Sequence, residues 1–143
     1  MKEKTLIAKA TVTIDAPTSK VWDAITNPES IKQYLFGADV ITDWKEGSPI
    51  IYKGVYQGKA YEDKGTVLKV EPEKSLLITH WSPLSGSADS PENYHQVSYE
   101  LAAENGSTLL TITQDNNATK EEQEQNSKFW QTALDGIKKL LEG

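Results

Sequence analysis

The fold of this chain is decided by residues 119–143, which read TKEEQEQNSKFWQTALDGIKKLLEG. Thr119 can accept a hydrogen bond from the first amides of a helix, and Glu122 can reach back to complete a capping box. Apolar side chains then recur at helical spacing and form one stripe: Trp130, Ala133, Leu134, Ile137, Leu140 and Leu141. The other side is polar and carries Glu124, Lys128, Gln131, Asp135 and Lys139. We therefore predict an amphipathic helix over 120–142, about 34 Å long, that needs an apolar surface to cover it.

The beginning of the chain predicts one strand and two short helices. Residues 4–15 alternate apolar and polar side chains, which is the period of a half-buried strand. The Ala16-Pro17 pair ends this strand, and a short helix follows over 18–25. The Asn27-Pro28 pair supplies the cap and the first position of a second short helix, which runs to residue 35.

Residues 36–115 have the composition of strands joined by tight turns. Runs rich in Val, Ile, Thr, Tyr and Trp predict strands at 39–42, 49–56, 60–70, 75–82, 94–103 and 107–115. The Asn105-Gly106 pair favours a type I′ turn, which is a strong hairpin signal. Only the connection over 83–93 is long. Consecutive strands with short turns indicate an antiparallel meander, because parallel strands need longer crossovers.

These elements together predict an α+β fold in a single domain, residues 1–143. A curved antiparallel β-sheet wraps around the long C-terminal helix, and the two short helices follow the first strand. This arrangement is expected because it covers the apolar stripe of the helix and one face of the sheet at the same time.

Several motifs resemble those of the START-like (SRPBCC) helix-grip superfamily. They are IDAP at 14–17, VWDAI at 21–25, TDWKEGSP at 42–49, KGTV at 64–67, LITHW at 77–81, LTIT at 110–113 and the apolar stripe of the last helix. Within that superfamily, the chain looks like the family similar to the C-terminal domain of the heat-shock-protein-90 ATPase activator (AHSA-type). The resemblance implies the helix-grip fold, and it raises a chaperone partner and a role in stress response as expectations.

Composition argues against several classes of partner. The chain has no cysteine, a net charge of −6 and no cluster of Lys and Arg, which argues against binding to nucleic acid or to an anionic membrane. We find neither a signal peptide nor an apolar run long enough to span a bilayer. The lack of cysteine is compatible with a reducing compartment. We therefore expect a cytoplasmic protein without a membrane span.

Strand alternation predicts which side chains face the helix. The expected inward positions are Ile50, Tyr52, Gly54, Tyr56, Leu77, Thr79, Trp81, Val97, Tyr99, Leu101, Leu110, Ile112 and Gln114. Polar tips on several of these positions suit an amphipathic ligand cavity, with its mouth beside the 83–93 connection. The predicted ligand-binding residues are Tyr52, Tyr56, Thr79, Trp81, Tyr99, Ile112, Gln114, Phe129, Trp130 and Leu134. The alternative is that the polar tips lie at the rim of the sheet and hydrogen-bond water or backbone.

The sequence predicts no catalytic residue, no metal site and no cofactor. Many relatives have a histidine where this chain has Gln114, and glutamine cannot carry protons near neutral pH. Of the two histidines, His80 is expected to face outward, opposite Trp81, and His95 to lie at the start of a strand. The carboxylates expected near the mouth, all solvated, are Asp39, Asp43, Glu62 and Asp63. We therefore expect binding without turnover.

Three functions remain open from the sequence. The preferred one is a binding protein whose cavity takes up an apolar or aromatic small molecule. The second is a chaperone-associated interaction domain, as the family resemblance implies, in which the outer surface would matter. The third is an enzyme of the cyclase or dehydratase type known elsewhere in the superfamily. We rank the enzyme last because it needs a general acid or base inside the cavity, and the assigned inward positions offer none.

Overall fold

The computed structural model describes residues 6–142, apart from the side chain of Tyr56. The strands are β1 (Ala8–Ile14), β2 (Asp39–Ile41), β3 (Pro49–Tyr56), β4 (Lys59–Glu71), β5 (Ser75–His80), β6 (His95–Glu104) and β7 (Ser107–Gln114). The α-helices are α1 (Thr18–Thr26), α2 (Pro28–Tyr34) and α3 (Lys120–Glu142), and two 3-10 turns, Pro83–Ser85 and Pro91–Asn93, lie in the long connection. The predicted start of the first strand, at residues 4 and 5, lies outside the described residues. None of the helices within 6–142 combines the length and apolarity needed to cross a membrane.

Within the described residues, seven strands form one antiparallel sheet in the order β1-β7-β6-β5-β4-β3-β2. Strands β2 to β7 form a meander, and β1 joins its far side by pairing with β7. The predicted α+β architecture is confirmed: a curved antiparallel sheet holds the long C-terminal helix, and two short helices follow the first strand.

Two-residue turns set the register of two hairpins. In the Asn105-Gly106 turn between β6 and β7, the φ angles are 50° and 89°, as the predicted type I′ turn requires. The Gln57-Gly58 turn between β3 and β4 has φ angles of 50° and 81°. This second turn brings Tyr52 on β3 directly opposite Asp63 on β4. Opposed residues of an antiparallel pair share one face of the sheet, so both side chains point the same way.

Helix α3 packs on the inner face of the sheet through the predicted stripe. Its buried residues are Trp130, Ala133, Leu134 and Ile137. At its start, the Thr119 hydroxyl accepts a hydrogen bond from the Glu122 amide at 3.1 Å, and the Glu122 carboxylate accepts one from the Ala118 amide at 2.8 Å. The predicted cap is therefore confirmed, with the returning bond placed one residue earlier than in a standard capping box.

The inward faces of β3, β6 and β7 agree with the sequence, and that of β5 does not. Buried positions on the first three strands are Ile50, Tyr52, Val97, Tyr99, Leu101, Leu110, Ile112 and Gln114. On β5, Leu76 and Ile78 are buried and His80 shares their side, so the predicted inward set of Leu77, Thr79 and Trp81 is wrong. The run of apolar residues at 76–78 fits either face of a strand, so alternation alone could not choose between them.

Strand β4 bends where it crosses β5. Val67 pairs with Ile78 and Lys69 pairs with the preceding residue of β5, so Leu68 is the extra residue of a β-bulge. Two residues before Val67, the backbone of Gly65 approaches that of Thr79 so closely that a Cβ atom would overlap the Thr79 carbonyl oxygen. Glycine is therefore required at position 65 for this approach.

A polar stripe of α3 hydrogen-bonds the outer edge of β1. Side chains of Gln123, Ser127, Gln131, Lys138 and Glu142 bond the backbone of Ile7, Lys9, Thr11, Thr13 and Asp15, in that order, at 2.8–3.3 Å. From Ile7 to Asp15 the strand advances about 27 Å at ~3.4 Å per residue, and from Gln123 to Glu142 the helix advances about 28 Å at ~1.5 Å per residue, so the two series cover the same length. Gln131, which the sequence groups with the polar residues away from the core, thus has a backbone partner at the sheet edge.

Candidate functional site

A pocket of about 630 Å³ opens between the inner face of the sheet and the first half of α3. Its lining consists of Leu35, Phe36, Ala38, Tyr52, Val55, Tyr61, Asp63, Ile78, His80, Leu84, Val97, Gln114, Asn126, Phe129 and Trp130. Four apolar members of this set are 41–67% exposed and form the rim: Phe36, Val55, Leu84 and Phe129. The rings of Phe36 and Phe129 face each other with centroids 5.8 Å apart. The mouth of the pocket is therefore apolar.

A histidine–carboxylate pair lies in the wall of this pocket. His80 Nε2 is 3.0 Å from Asp63 Oδ2, and the two side chains are 27% and 15% exposed. The ring of Tyr52 meets the ring of His80 edge-on, with centroids 6.0 Å apart. The other oxygen of Asp63, Oδ1, is buried and has no hydrogen-bond partner within residues 6–142. Asp63 therefore bonds His80 through Oδ2, while Oδ1 is closed off from the pocket.

This pair corrects the prediction about acid–base groups. His80 was expected to face outward and Asp63 to be solvated, but both line the pocket and bond each other. The cause is that β5 presents the opposite face from the one predicted. The sequence placed Trp81 inward, and in the structure its neighbour His80 points inward instead. The expectation that the pocket contains no proton carrier is wrong.

Gln114 and Trp130 form the second polar point of the pocket. Trp130 Nε1 donates a hydrogen bond of 2.6 Å to Gln114 Oε1. An indole nitrogen only donates, so this bond fixes the orientation of the amide and leaves its NH₂ group as a donor. Among the described residues, that NH₂ group has no hydrogen-bond acceptor. Gln114 thus offers a hydrogen-bond donor to a molecule in the pocket.

The predicted ligand-binding residues separate into groups. The pocket is lined by Tyr52, Gln114, Phe129 and Trp130. Buried core positions outside its described lining are Tyr99, Ile112 and Leu134. Thr79 and Trp81 lie on the other side of β5, where Thr79 Oγ1 accepts a bond from the Thr66 amide at 2.8 Å. The side chain of Tyr56 lies outside the described residues. That the lining residues bind a ligand stays a prediction.

Trp81 fastens the 83–93 connection beside the pocket. Its ring stacks on Tyr94 with centroids 6.3 Å apart, and Tyr94 Oη donates a 2.6 Å hydrogen bond to Asp89. Leu84 of the same connection belongs to the pocket rim. The connection borders the mouth as predicted, and Trp81 acts on the pocket by holding this connection.

The remaining candidate groups lie outside the described lining of the pocket, although His95 pairs directly with His80. His95 Nδ1 is 2.7 Å from the Asp115 carbonyl oxygen, which ties the start of β6 to the end of β7. Asp39, Asp43 and Glu62 are exposed, as predicted. Hydrogen bonds from Ser48 and from the Lys45 amide lower the pKa of Asp43. None of these groups adds to the chemistry of the pocket.

The pocket tyrosines are neutral hydrogen-bonding groups. Burial, with smaller contributions from Tyr99 and Asp63, raises the pKa of Tyr52 well above its ordinary value. Burial and the nearby Asp63 carboxylate also raise the pKa of Tyr61. Both hydroxyls therefore remain protonated across the physiological range and can donate to an acceptor on a ligand.

Sequence reasoning missed most of the rim and the histidine–carboxylate pair. Asp63 could have been found, because a two-residue turn at Gln57-Gly58 places it opposite the inward-facing Tyr52. No comparable signal exists for His80, because the connection before β6 is long and irregular and leaves the register of β5 open. The rim residue Phe36 falls in the loop after α2, where no periodic pattern applies.

Comparisons with known proteins identify a family and several solved structures that this chain resembles. The model of the family described as "Activator of Hsp90 ATPase homolog 1-like protein" matches residues 15–142. ChR145 from Cytophaga hutchinsonii has a similar solution structure, with 50% identity and a TM-score of 0.85 over 98% of this chain and 96% of that chain. The Aha1 dimer from Colwellia psychrerythraea is 21% identical, with a TM-score of 0.73 over 94% and 95% of the two chains. DynU16, a protein in the dynemicin biosynthetic locus, is 21% identical, with a TM-score of 0.79 over 95% of this chain and 47% of that chain. No match was found among curated proteins.

The family match spans most of the chain and agrees with the motifs found in the sequence. It includes the strands and helices that form the pocket, from the end of β1 to the end of α3. The two structures at 21% identity share the fold, and ChR145 shares half of the sequence as well. The chain belongs to the Activator of Hsp90 ATPase homolog 1-like family, within the START-like (SRPBCC) group of helix-grip proteins.

Proposed function

We propose that this protein binds an apolar or aromatic small molecule in the pocket between the sheet and α3. The observation that carries the proposal is the apolar rim of Phe36, Val55, Leu84 and Phe129 around a concave space. Exposed apolar surface of this kind marks a binding site more often than plain surface. The volume of about 630 Å³ supports the same function, since small-molecule sites span roughly 300–1,000 Å³.

The polar groups of the pocket suggest the shape of the ligand. Gln114 on β7 offers a donor, and the pair of Asp63 and His80 lies on β4 and β5. Strands β5 and β7 are two places apart in the sheet, which separates these points by roughly 10 Å. A flat ligand of two or three fused rings with a polar group near each end fits this spacing. The setting of the similar DynU16, in the dynemicin biosynthetic locus, is consistent with a small-molecule partner.

The second candidate is a chaperone-associated role, which the family description favours. In that role the exposed side chains of the rim would contact a protein. We prefer the small molecule because these side chains surround a concave space, whereas a flat apolar face would suit a protein partner better. A chaperone partner predicts that the purified protein stimulates the ATPase of Hsp90, and the small-molecule role predicts no such effect.

An NMR titration of the tryptophan indole N–H groups tests the small-molecule role. The chain has four tryptophans, of which only Trp130 belongs to the described lining of the pocket. We expect 2-naphthol and 5-nitroindole to shift the Trp130 resonance first and furthest, because its N–H bonds Gln114 inside the pocket. The resonances of Trp22 and Trp44 serve as internal controls, because neither residue belongs to the described lining. Shifts concentrated on these two residues, or no shift at all, would contradict the proposal.

A pair of matched variants tests the rim. Phe129 is 41% exposed at the pocket, and Ile41 is 51% exposed outside it. Covering roughly 80 Å² of the Phe129 ring at about 25 cal/mol per Å² yields about 2 kcal/mol, or ~30-fold in affinity. We expect Phe129→Ser to weaken binding of 5-nitroindole by about that factor and Ile41→Ser to leave it unchanged. Equal effects of the two variants would count against the pocket.

Some sequence-based expectations stay predictions. They are a cytoplasmic location, a role in stress response and a single domain over residues 1–143. Cell fractionation with an antibody against the protein tests the location. Induction of the protein by heat or oxidant, measured by quantitative immunoblotting, tests the stress response.

A further inference from the structure

We propose that the pair of His80 and Asp63 is a general-base site, which removes a proton from an acidic C–H or O–H group of an aromatic or carbonyl-containing ligand. His80 is the catalytic residue, and Asp63 is the positioning residue that acts through it. The proposal rests on the proposed function, because it places the reaction in the same pocket. It goes further by assigning a reaction class to that pocket.

The geometry of the pair determines which nitrogen can act. A carboxylate accepts hydrogen bonds only, so His80 Nε2 carries the proton that it shares with Asp63 Oδ2 at 3.0 Å. The neutral ring then has its lone pair on Nδ1. In the part of the chain that the structure describes, no hydrogen bond engages His80 Nδ1. A ligand in the pocket can therefore meet an oriented, unprotonated nitrogen, as in other sites where a carboxylate fixes a histidine.

The pair of His80 and Asp63 is partly shielded from water. The imidazolium that forms lies beside the Asp63 carboxylate, whose opposite charge stabilises it. Only 15% of the Asp63 side chain and 27% of the His80 side chain are exposed, so water screens this attraction less than at an open surface. The second oxygen of Asp63 is buried without a partner among the described residues, so within them the carboxylate bonds His80 alone.

The step needs no other reactant. The ligand's proton moves to His80 Nδ1, and the electron pair of the broken C–H or O–H bond stays on the ligand as an enolate, carbanion or phenolate. Return of the proton to a different atom of the ligand completes an isomerisation. Alternatively, loss of a leaving group from the anion completes an elimination, and the proton passes from His80 to water. No oxidant or reductant is involved.

The test uses 5-nitrobenzisoxazole, which needs only a base in a pocket that accepts a bicyclic aromatic. Removal of its C3 proton sends the C–H electron pair into the new C≡N bond and breaks the N–O bond, forming the coloured 2-cyano-4-nitrophenolate. We expect saturable turnover, and His80→Gln should lower kcat by ~10²–10⁴-fold, the range for a general base. Glu62→Gln is the control, because Glu62 is exposed and lies outside the described pocket lining, and it should leave kcat unchanged.

Asp63→Asn tests the positioning role. It should lower kcat at least ten-fold with little change in KM. The substitution removes the carboxylate that orients His80 and its negative charge, and it leaves the apolar walls of the pocket intact. Unchanged indole resonances of Trp22 and Trp44 will show that each variant remains folded. His80→Ala with added imidazole supplies a second measurement, since free imidazole in the vacated space should restore turnover, and a purely structural role for His80 would give no such rescue.

The outcomes distinguish this proposal from the proposed function. 5-Nitroindole has the same bicyclic outline as the reactive probe and lacks its N–O bond. If 5-nitroindole shifts the Trp130 resonance and the reactive probe is converted no faster by the protein than by His80→Gln, the general-base proposal is overturned and the binding function stands. If 5-nitroindole causes no shift, both proposals fail. Equal loss of kcat in His80→Gln and Glu62→Gln would also overturn the general-base proposal.

Discussion

Replacing Gly65 with alanine should destabilise the protein by about 3 kcal/mol. The new methyl group would overlap the Thr79 carbonyl oxygen, so β4 and β5 must separate at this point. Three hydrogen bonds cross there: the Lys64 amide to the Trp81 carbonyl at 3.0 Å, the Trp81 amide to the Lys64 carbonyl at 2.8 Å, and the Thr66 amide to Thr79 Oγ1 at 2.8 Å. Each contributes about 1 kcal/mol net, so their loss is a substantial part of the ~5–15 kcal/mol typical of a domain.

Urea denaturation followed by tryptophan fluorescence measures this loss. Gly54→Ala is the control, because its added Cβ would come 2.6 Å from the hydroxyl end of the Tyr61 side chain, which can rotate away. We expect the midpoint of Gly65→Ala to fall well below that of Gly54→Ala, and the melting temperature to drop by roughly 10 °C. Because His80 lies between Thr79 and Trp81, the same change should displace it from Asp63. A loss below about 1 kcal/mol in Gly65→Ala would refute the close-approach argument.

Two further predictions follow from buried aromatic side chains. Burial raises the pKa values of Tyr34, Tyr52 and Tyr99, so these groups bind protons more tightly when the protein is folded. Their contribution to stability should be constant below pH ~10 and should fall above it by about 1.4 kcal/mol per pH unit per tyrosine. Urea titrations across that range, with phenolate absorbance as a second signal, check this, and stability that stays flat above pH ~10 would contradict it. Trp130→Ala should cost ~3–5 kcal/mol, and Trp130→Phe ~1–3 kcal/mol, because Gln114 Oε1 loses its donor in both. A loss under ~1 kcal/mol for Trp130→Ala would show that the indole does not support the packing of α3.

The fold could be predicted because its signals are local and repeated. The apolar stripe of α3, the Asn27-Pro28 start of α2 and the Asn105-Gly106 turn each determine their element without reference to distant residues. Alternation also assigned the inner faces of β3, β6 and β7 correctly, since in these strands the core positions carry large apolar or aromatic side chains two residues apart.

The candidate site was harder to predict, because it depends on how strands pair. At 76–78 three apolar residues are consecutive, so the face of β5 is settled only by its pairing with β4 and β6. Asp63 lies between Glu62 and Lys64, and such a run of charged residues predicts an exposed position. In the structure Asp63 pairs with the inward-facing Tyr52, so its side chain also points inward. The bulge at Leu68 also changes which residues of β4 face inward, and no residue type in the sequence predicts this bulge.

The bonds between α3 and the outer edge of β1 have a consequence for synthesis of the protein. A ribosome makes β1 before α3, so any sheet that forms on the nascent chain lacks at first the side chains that cover its edge. During that interval the backbone groups of Ile7, Lys9, Thr11, Thr13 and Asp15 can pair with a strand of another nascent chain. Translation arrested before residue 120 should therefore release a product that aggregates, whereas the completed chain closes this edge with its own final helix.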